Sequence, residues 1–237
     1  MAPGKPRRIP GVLVTATGTS AGKTFVARGL ARALVRRGIQ VVALKPVETG
    51  CAPDPLDAIA LGRAAGRPEL AHAAGFHRAR EALAPYAIEL EGGSPAPDVA
   101  TLAELVQRAA GEARLVIVEG AGGLAAPLRR GETFADLAAL LSWPLVVVAP
   151  DQLGVLSFAL TLAECARGRD LSLAALVLAA LPGHEDDPSR RSNGRILSEA
   201  LPCPVLRFPR CDDDDDALAA AAEAAGLVEQ VLARAMP

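Results

Sequence analysis

Three things are missing from this 237-residue chain: an excess of positive charge, a long apolar run and paired cysteines. Lys plus Arg total 25 against 27 Asp plus Glu, a net charge of -2, so there is no general positive field to hold nucleic acid or an anionic membrane. No stretch reaches the roughly 20 apolar residues of a membrane span, and the basic start MAPGKPRR leads into only a short apolar segment. These features place the protein in the cytoplasm. Cys51, Cys165, Cys203 and Cys211 lack C-x-x-C spacing, which excludes a zinc cage or disulfide framework and reads as reduced thiols. His72, His77 and His184 stand alone and read as packing or surface residues. Lysine is equally scarce. Only Lys5, Lys23 and Lys45 are lysines, and every other basic residue is arginine. A compact ammonium differs from a guanidinium fork at a phosphate or carboxylate, so the few lysines mark candidate chemistry.

What is present is a regular alternation, with a hydrophobic content of 51%. Apolar, β-branched runs of strand length recur at 11–15, 40–44, 115–118, 145–149, 174–178 and 205–208. Between them lie Ala- and Leu-rich stretches of helical spacing at 24–37, 99–110, 134–141, 155–167 and 190–200, with a last one at 217–235. Near-continuous apolar strands separated by helices predict an α/β fold: a single doubly wound, mostly parallel sheet with helices on both faces. Residues 1–237 read as one domain. The segment 51–97 is rich in Pro, Gly and Arg and reads as loop plus short helices without a clear strand, with Asp57 able to face the site. The run Asp212 to Asp216 reads as a solvated loop whose acids favour the next helix N-terminus.

Ligands in such sheets bind beyond the carboxyl ends of the strands. The first strand runs into Ala16-Thr17-Gly18-Thr19-Ser20-Ala21-Gly22-Lys23-Thr24 and then a helix, which is the context of a phosphate loop and makes the fold of P-loop NTPase type. Its N–H groups and helix N-terminus suit phosphate oxygens, Lys23 suits the β- and γ-phosphates, and the Thr24 hydroxyl suits Mg²⁺. Ala16 replaces the usual first glycine and fits only if its backbone needs no positive φ. The second strand ends in Lys45-Pro46-Val47-Glu48-Thr49-Gly50, expected beside the phosphate loop, where Lys45 can bridge a γ-phosphate and an anionic acceptor and Thr49 offers a hydroxyl. The third ends in Glu119-Gly120-Ala121-Gly122-Gly123, expected two strand ends from the loop, with Glu119 placed as a Mg²⁺-coordinating carboxylate.

Together these motifs, with Leu56-Asp57-Ala58, resemble the dethiobiotin synthase family in order and spacing over nearly the whole chain. The resemblance implies a homodimeric ATP- and Mg²⁺-dependent cyclo-ligase of biotin biosynthesis, which carboxylates 7,8-diaminononanoate with CO₂ and closes dethiobiotin through a carbamate and a carbamic-phosphoric anhydride. It implies that Ser20, Ala21, Gly22, Lys23, Thr24 and Phe25 bind ATP, with Gly120, Ala121 and Gly122 also on the nucleotide. Thr24, Asp57 and Glu119 become the metal ligands and Lys45 the catalytic lysine. Thr19, Thr49, Gly122 and Ser157 become substrate contacts. Two departures stand out. Ala179 and Ala180 replace an asparagine that many members use for adenine, leaving the base to backbone groups, Arg207, Phe208, Pro209 or Asp213. After Leu153-Gly154, Ser157 is a weaker handle for a substrate carboxylate than the family's usual residues. A nucleotide-binding regulatory module, or a related ligase acting on another amine, is the competing reading.

Overall fold

The computed structural model describes residues 8–236; Lys5 lies outside them. Six strands form one parallel sheet: β1 (Gly11–Ala16), β2 (Val41–Leu44), β5 (Leu115–Glu119), β8 (Leu145–Pro150), β9 (Leu173–Ala179) and β10 (Val205–Phe208). Their spatial order is β10-β9-β8-β1-β5-β2. Helices α1 (Lys23–Arg36), α2 (Leu56–Ala64), α8 (Asp215–Ala224) and α9 (Leu227–Ala235) cover one face. Helices α4 (Val99–Ala110), α5 (Phe134–Leu141), α6 (Val155–Arg167) and α7 (Arg190–Ala200) cover the other. Among the described residues there remain a short 3₁₀ helix (Pro68–His72) and α3 (Pro85–Leu90), the latter beside the antiparallel ribbon of β6 (Pro127–Arg129) and β7 (Glu132–Thr133).

Strand alternation sorts the core into two layers, because successive side chains point to opposite faces. Val12, Val14 and Ala16 of β1 pack with Leu30 and Leu34 of α1, whereas Leu13 joins Val116, Val118, Val147 and Phe134 on the far side. Both faces of β1 are therefore buried, which explains why its sequence is apolar except for Thr15. Truncating Leu30 or Leu34, both fully buried, to Ala costs about 2–5 kcal/mol by the usual large-to-small rule.

Three sequence expectations change. The segment read without a strand contains β4 (His77–Ala79), which pairs in parallel with β3 (Val47–Thr49); three residues are too few for a periodic signal. The last helical stretch is two helices, broken where Gly226 adopts φ +73°. The third strand is inserted between the first two, so β5, and not β2, lies beside β1. Chain order alone does not set lateral order in a doubly wound sheet.

The acidic run is more than solvated loop. Asp214 caps α8, accepting from the N–H groups of Asp216 and Ala217 at 3.0 and 2.9 Å. Asp213 and Asp215 pair with Arg28, and Asp216 with Arg32, so the run fastens α8 along α1. That fastening is close: a Cβ on Gly29 would lie 2.5 Å from the Leu218 carbonyl oxygen.

Candidate active site

The carboxyl ends of β1, β5 and β2 open into a cavity of about 1050 Å³. Its floor is the phosphate loop. Ala16 closes β1 in the ladder with β8, paired with Val148, and its φ is not positive, so the alanine fits where the sequence pattern asks for glycine. The Thr17 N–H continues the ladder to the Val148 carbonyl at 3.1 Å. The chain then turns through Ser20 at φ +57° and Gly22 at φ +90°, and α1 starts at Lys23. No side chain caps α1 at Gly22. Its first-turn N–H groups therefore face the cavity, with the helix dipole behind them, as an anion requires.

Above the loop stands a cluster of charges. The Lys45 ammonium, 7% exposed, donates to Glu119 Oε1 at 2.8 Å and also to Asp57 Oδ2. The Thr24 hydroxyl donates to the same Glu119 oxygen at 3.0 Å. Glu119 is fully buried, and among the described residues its Oε2 has no hydrogen-bond partner. Lys23 bends back on its own loop, donating to the Gly18 carbonyl at 3.3 Å.

Burial and neighbouring charge act against each other here. Burial alone lowers the Lys45 pKa, but Glu119 and then Asp57 outweigh it and hold the ammonium above the usual lysine range. Burial pushes the Glu119 carboxyl up, helped by Asp57 and opposed by Lys45. Lys23 goes down, first through burial, with Lys45 adding repulsion against the attraction of Glu119 and Asp57. The site thus keeps one firmly charged cation between two carboxylates and a second cation free to meet an anion.

The hard-oxygen set of Thr24, Glu119 and Asp57 suits Mg²⁺, which takes few protein ligands and keeps water and phosphate oxygens. The unpartnered Glu119 Oε2 is the observation that fits. The Asp57 side chain is 43% exposed toward the cavity.

Comparison with known proteins decides the family. A family model described as "AAA domain" matches residues 10–209. The ATP-dependent dethiobiotin synthetase BioD of Anaeromyxobacter dehalogenans is 40% identical over 181 residues, covering 76% of this chain and 80% of that one. The BioD of Pseudomonas aeruginosa is 37% identical over 228 residues, covering 90% and 95%. This chain belongs to the dethiobiotin synthetase family. Membership makes it an ATP-using enzyme. Solved structures of FtsY share the fold alone: that of chloroplast FtsY from Physcomitrella patens has a TM-score of 0.54 at 16% identity, covering 92% of this chain and 66% of that one.

Against the synthetase motifs, the structure gathers Thr19, Ser20, Ala21, Gly22, Lys23, Thr24, Phe25, Lys45, Thr49, Asp57, Glu119, Ala121 and Gly122 around one cavity. Gly120 lies behind it, where a Cβ would meet the Phe134 ring at 3.4 Å. Four expected residues lie elsewhere. Ser157 is exposed on α6 away from the cavity lining, because the helix turns Phe158, Thr161 and Leu162 inward instead. Phe208 is in the core over α1, its ring near Gly29. Arg207 is on the surface and donates to the Arg190 carbonyl at 2.7 Å, and exposed Pro209 also stands outside the lining. At that end the lining is Leu181, Asp213 and Arg28. Arg28 was detectable in principle, being one helical turn beyond Thr24. Phe158, Leu162 and Cys165 form a helical stripe along α6, which periodicity reads as core.

Proposed function

We propose that this chain makes dethiobiotin from 7,8-diaminononanoate, CO₂ and ATP with Mg²⁺, and that the residues gathered in the cavity carry the reaction. The observation that carries the reading is the Lys45 ammonium, buried and bonded to both Glu119 and Asp57 directly above the phosphate loop.

One amine of the substrate adds to CO₂ and loses a proton, giving a carbamate. A carbamate oxygen attacks the γ-phosphorus of ATP, ADP leaves, and a carbamic-phosphoric anhydride forms. The second amine then attacks the anhydride carbonyl, phosphate leaves and the ureido ring closes. The loop N–H groups of residues 20–24 and Lys23 hold the β- and γ-phosphates. Lys45 lies between the γ-phosphate and the carbamate, where a fixed positive charge lowers the cost of bringing two anions together. Thr24, Asp57 and Glu119 hold Mg²⁺, which when bound neutralises phosphate charge and fixes phosphate geometry. The chain's remaining task is orientation, since no covalent enzyme intermediate is needed.

The cavity wall formed by Leu83, Pro85, Leu124, Phe158 and Leu162 suits the aliphatic part of such a diamine, with Thr19 and Thr49 as polar contacts. The reading takes the chain as one domain, cytoplasmic and homodimeric. Exposed Leu153, 80% accessible just ahead of α6, favours the dimer. Among the described residues no helix is long and apolar enough to cross a membrane. The test is phosphate release from Mg·ATP and bicarbonate, with and without the diamine, followed by mass detection. Diamine-dependent release with dethiobiotin as product is expected; ATP binding without any effect of the diamine rejects the reading.

A further inference from the structure

Glu48 sits three residues beyond Lys45, on β3, and the mechanism above does not use it. It is 6% exposed, a burial that a carboxylate accepts only when its oxygens are engaged. Both are. Glu48 Oε1 accepts from the Asp57 N–H at 3.0 Å and Oε2 from the Ala58 N–H at 2.9 Å. Those N–H groups belong to the first turn of α2, whose N-cap position holds Pro55, a residue with no side-chain acceptor. Glu48 therefore caps α2 from another element, with its charge at the positive end of the helix.

The consequence falls on Asp57. An aspartate in a first helical turn can turn its carboxylate back on nearby backbone N–H groups. Here Glu48 occupies two of them, and the Asp57 side chain points to Lys45 instead. Hydrogen bonds to an ionised carboxylate are about twice as strong as neutral ones, so the two together fix the backbone that carries Asp57. β3 also follows Lys45 after one residue, so Glu48 links both members of the Lys45–Asp57 pair.

We propose that Glu48 is a positioning residue: by clamping the start of α2 it sets the Asp57 carboxylate against Lys45 and toward Mg²⁺. The proposal rests on the reading of Asp57 as a metal ligand given above.

The test pairs Glu48→Gln with Asp57→Asn, singly and together. The glutamine is isosteric, but its amide NH₂ faces a backbone N–H and the charge is gone. Expected for Glu48→Gln is a rise of about tenfold in the Mg²⁺ concentration for half-maximal diamine-dependent phosphate release, at the low end for residues that orient metal ligands. The KM for ATP at saturating Mg²⁺ should change by less than about twofold, since the phosphate loop is untouched. Because Glu48 acts through Asp57, adding Glu48→Gln to Asp57→Asn should change the metal requirement no further. If Asp57→Asn shifts the requirement and Glu48→Gln does not, or if the two effects multiply, the positioning role is overturned while the metal assignment stands. If Asp57→Asn shifts nothing, the metal assignment itself fails and Glu48 has nothing to position. Should Glu48→Gln not fold, amide exchange in the unmodified chain decides: slow exchange at Asp57 and Ala58 supports the clamp, and exchange as fast as in an open loop overturns it.

Discussion

Replacing Lys45 by Met removes the charge but keeps most of the volume, which isolates the electrostatic role. In the native site the Lys45 ammonium lies 2.8 Å from Glu119 Oε1, and Glu119 is wholly buried with its second oxygen unpartnered. Removing one member of a buried pair costs about 3–5 kcal/mol when the other charge stays. Glu119 escapes part of that cost by taking up a proton, so the variant should show a stronger pH dependence than the native chain. Its folded pKa already lies above the ordinary value of 4.5 through burial, and loss of Lys45 raises it further. An acid with a raised folded pKa holds more protons folded than unfolded. Stability therefore falls as pH rises from the unfolded value toward the folded one, by about 1.4 kcal/mol per pH unit for one proton. Native Lys45 follows the same sign in a higher window: its pKa is raised from 10.5, so its contribution is complete below that value and is lost only in strong alkali. As pH rises above the ordinary carboxylate range the variant should thus lose up to about 3–5 kcal/mol relative to the native chain, or roughly 6–20 °C in Tm at 2–4 °C per kcal/mol. Turnover should fall by about 10²- to 10³-fold or more, as when a preorganised donor to a developing anion is removed. Scanning calorimetry at three pH values and the phosphate-release assay measure both. A variant within tenfold of native turnover, or a Tm difference that does not grow with pH, refutes the electrostatic account.

Two further expectations follow from the geometry. Lys23→Ala removes the cation that meets the phosphates, so ATP affinity by calorimetric titration should drop by at least about tenfold, a loss of one charge-assisted contact; undiminished affinity rejects the loop assignment. Gly29→Ala should destabilise by about 1–3 kcal/mol through overpacking, because the new Cβ would meet the Leu218 carbonyl at 2.5 Å and push α8 off α1. An unchanged denaturation midpoint would contradict that contact.

Much of the fold was legible because its cause is local. Short, β-branched apolar runs between helical stretches read as strands covered on both faces, and the predicted helices at 99–110, 134–141, 155–167 and 190–200 coincide with α4, α5, α6 and α7. The short pairing of β3 with β4 was not legible, since it depends on the chain after α2 returning to Lys45's side, and no period marks three residues. At the base end, Phe208 closes a strand whose alternation turns its ring into the core, while Leu181 and Asp213 are carried to the cavity by loops.

The sequence by itself determined the chemical kinds and their anchoring: a phosphate loop between a strand and a helix, a scarce lysine and an acid each at a strand end, and hence an anion site at the carboxyl edge of a parallel sheet. Those follow from backbone periodicity and from which groups can bear charge there. Only the tertiary structure decided which of them meet. Inserting β5 between β1 and β2 brings Glu119 within hydrogen-bond reach of both Thr24 and Lys45, and the Glu48 clamp on α2 delivers Asp57 to the same ammonium. Lateral strand order and the docking of a helix on a short strand are set by non-local packing, and residues 74 or 95 positions apart in the chain carry no local mark of their contact.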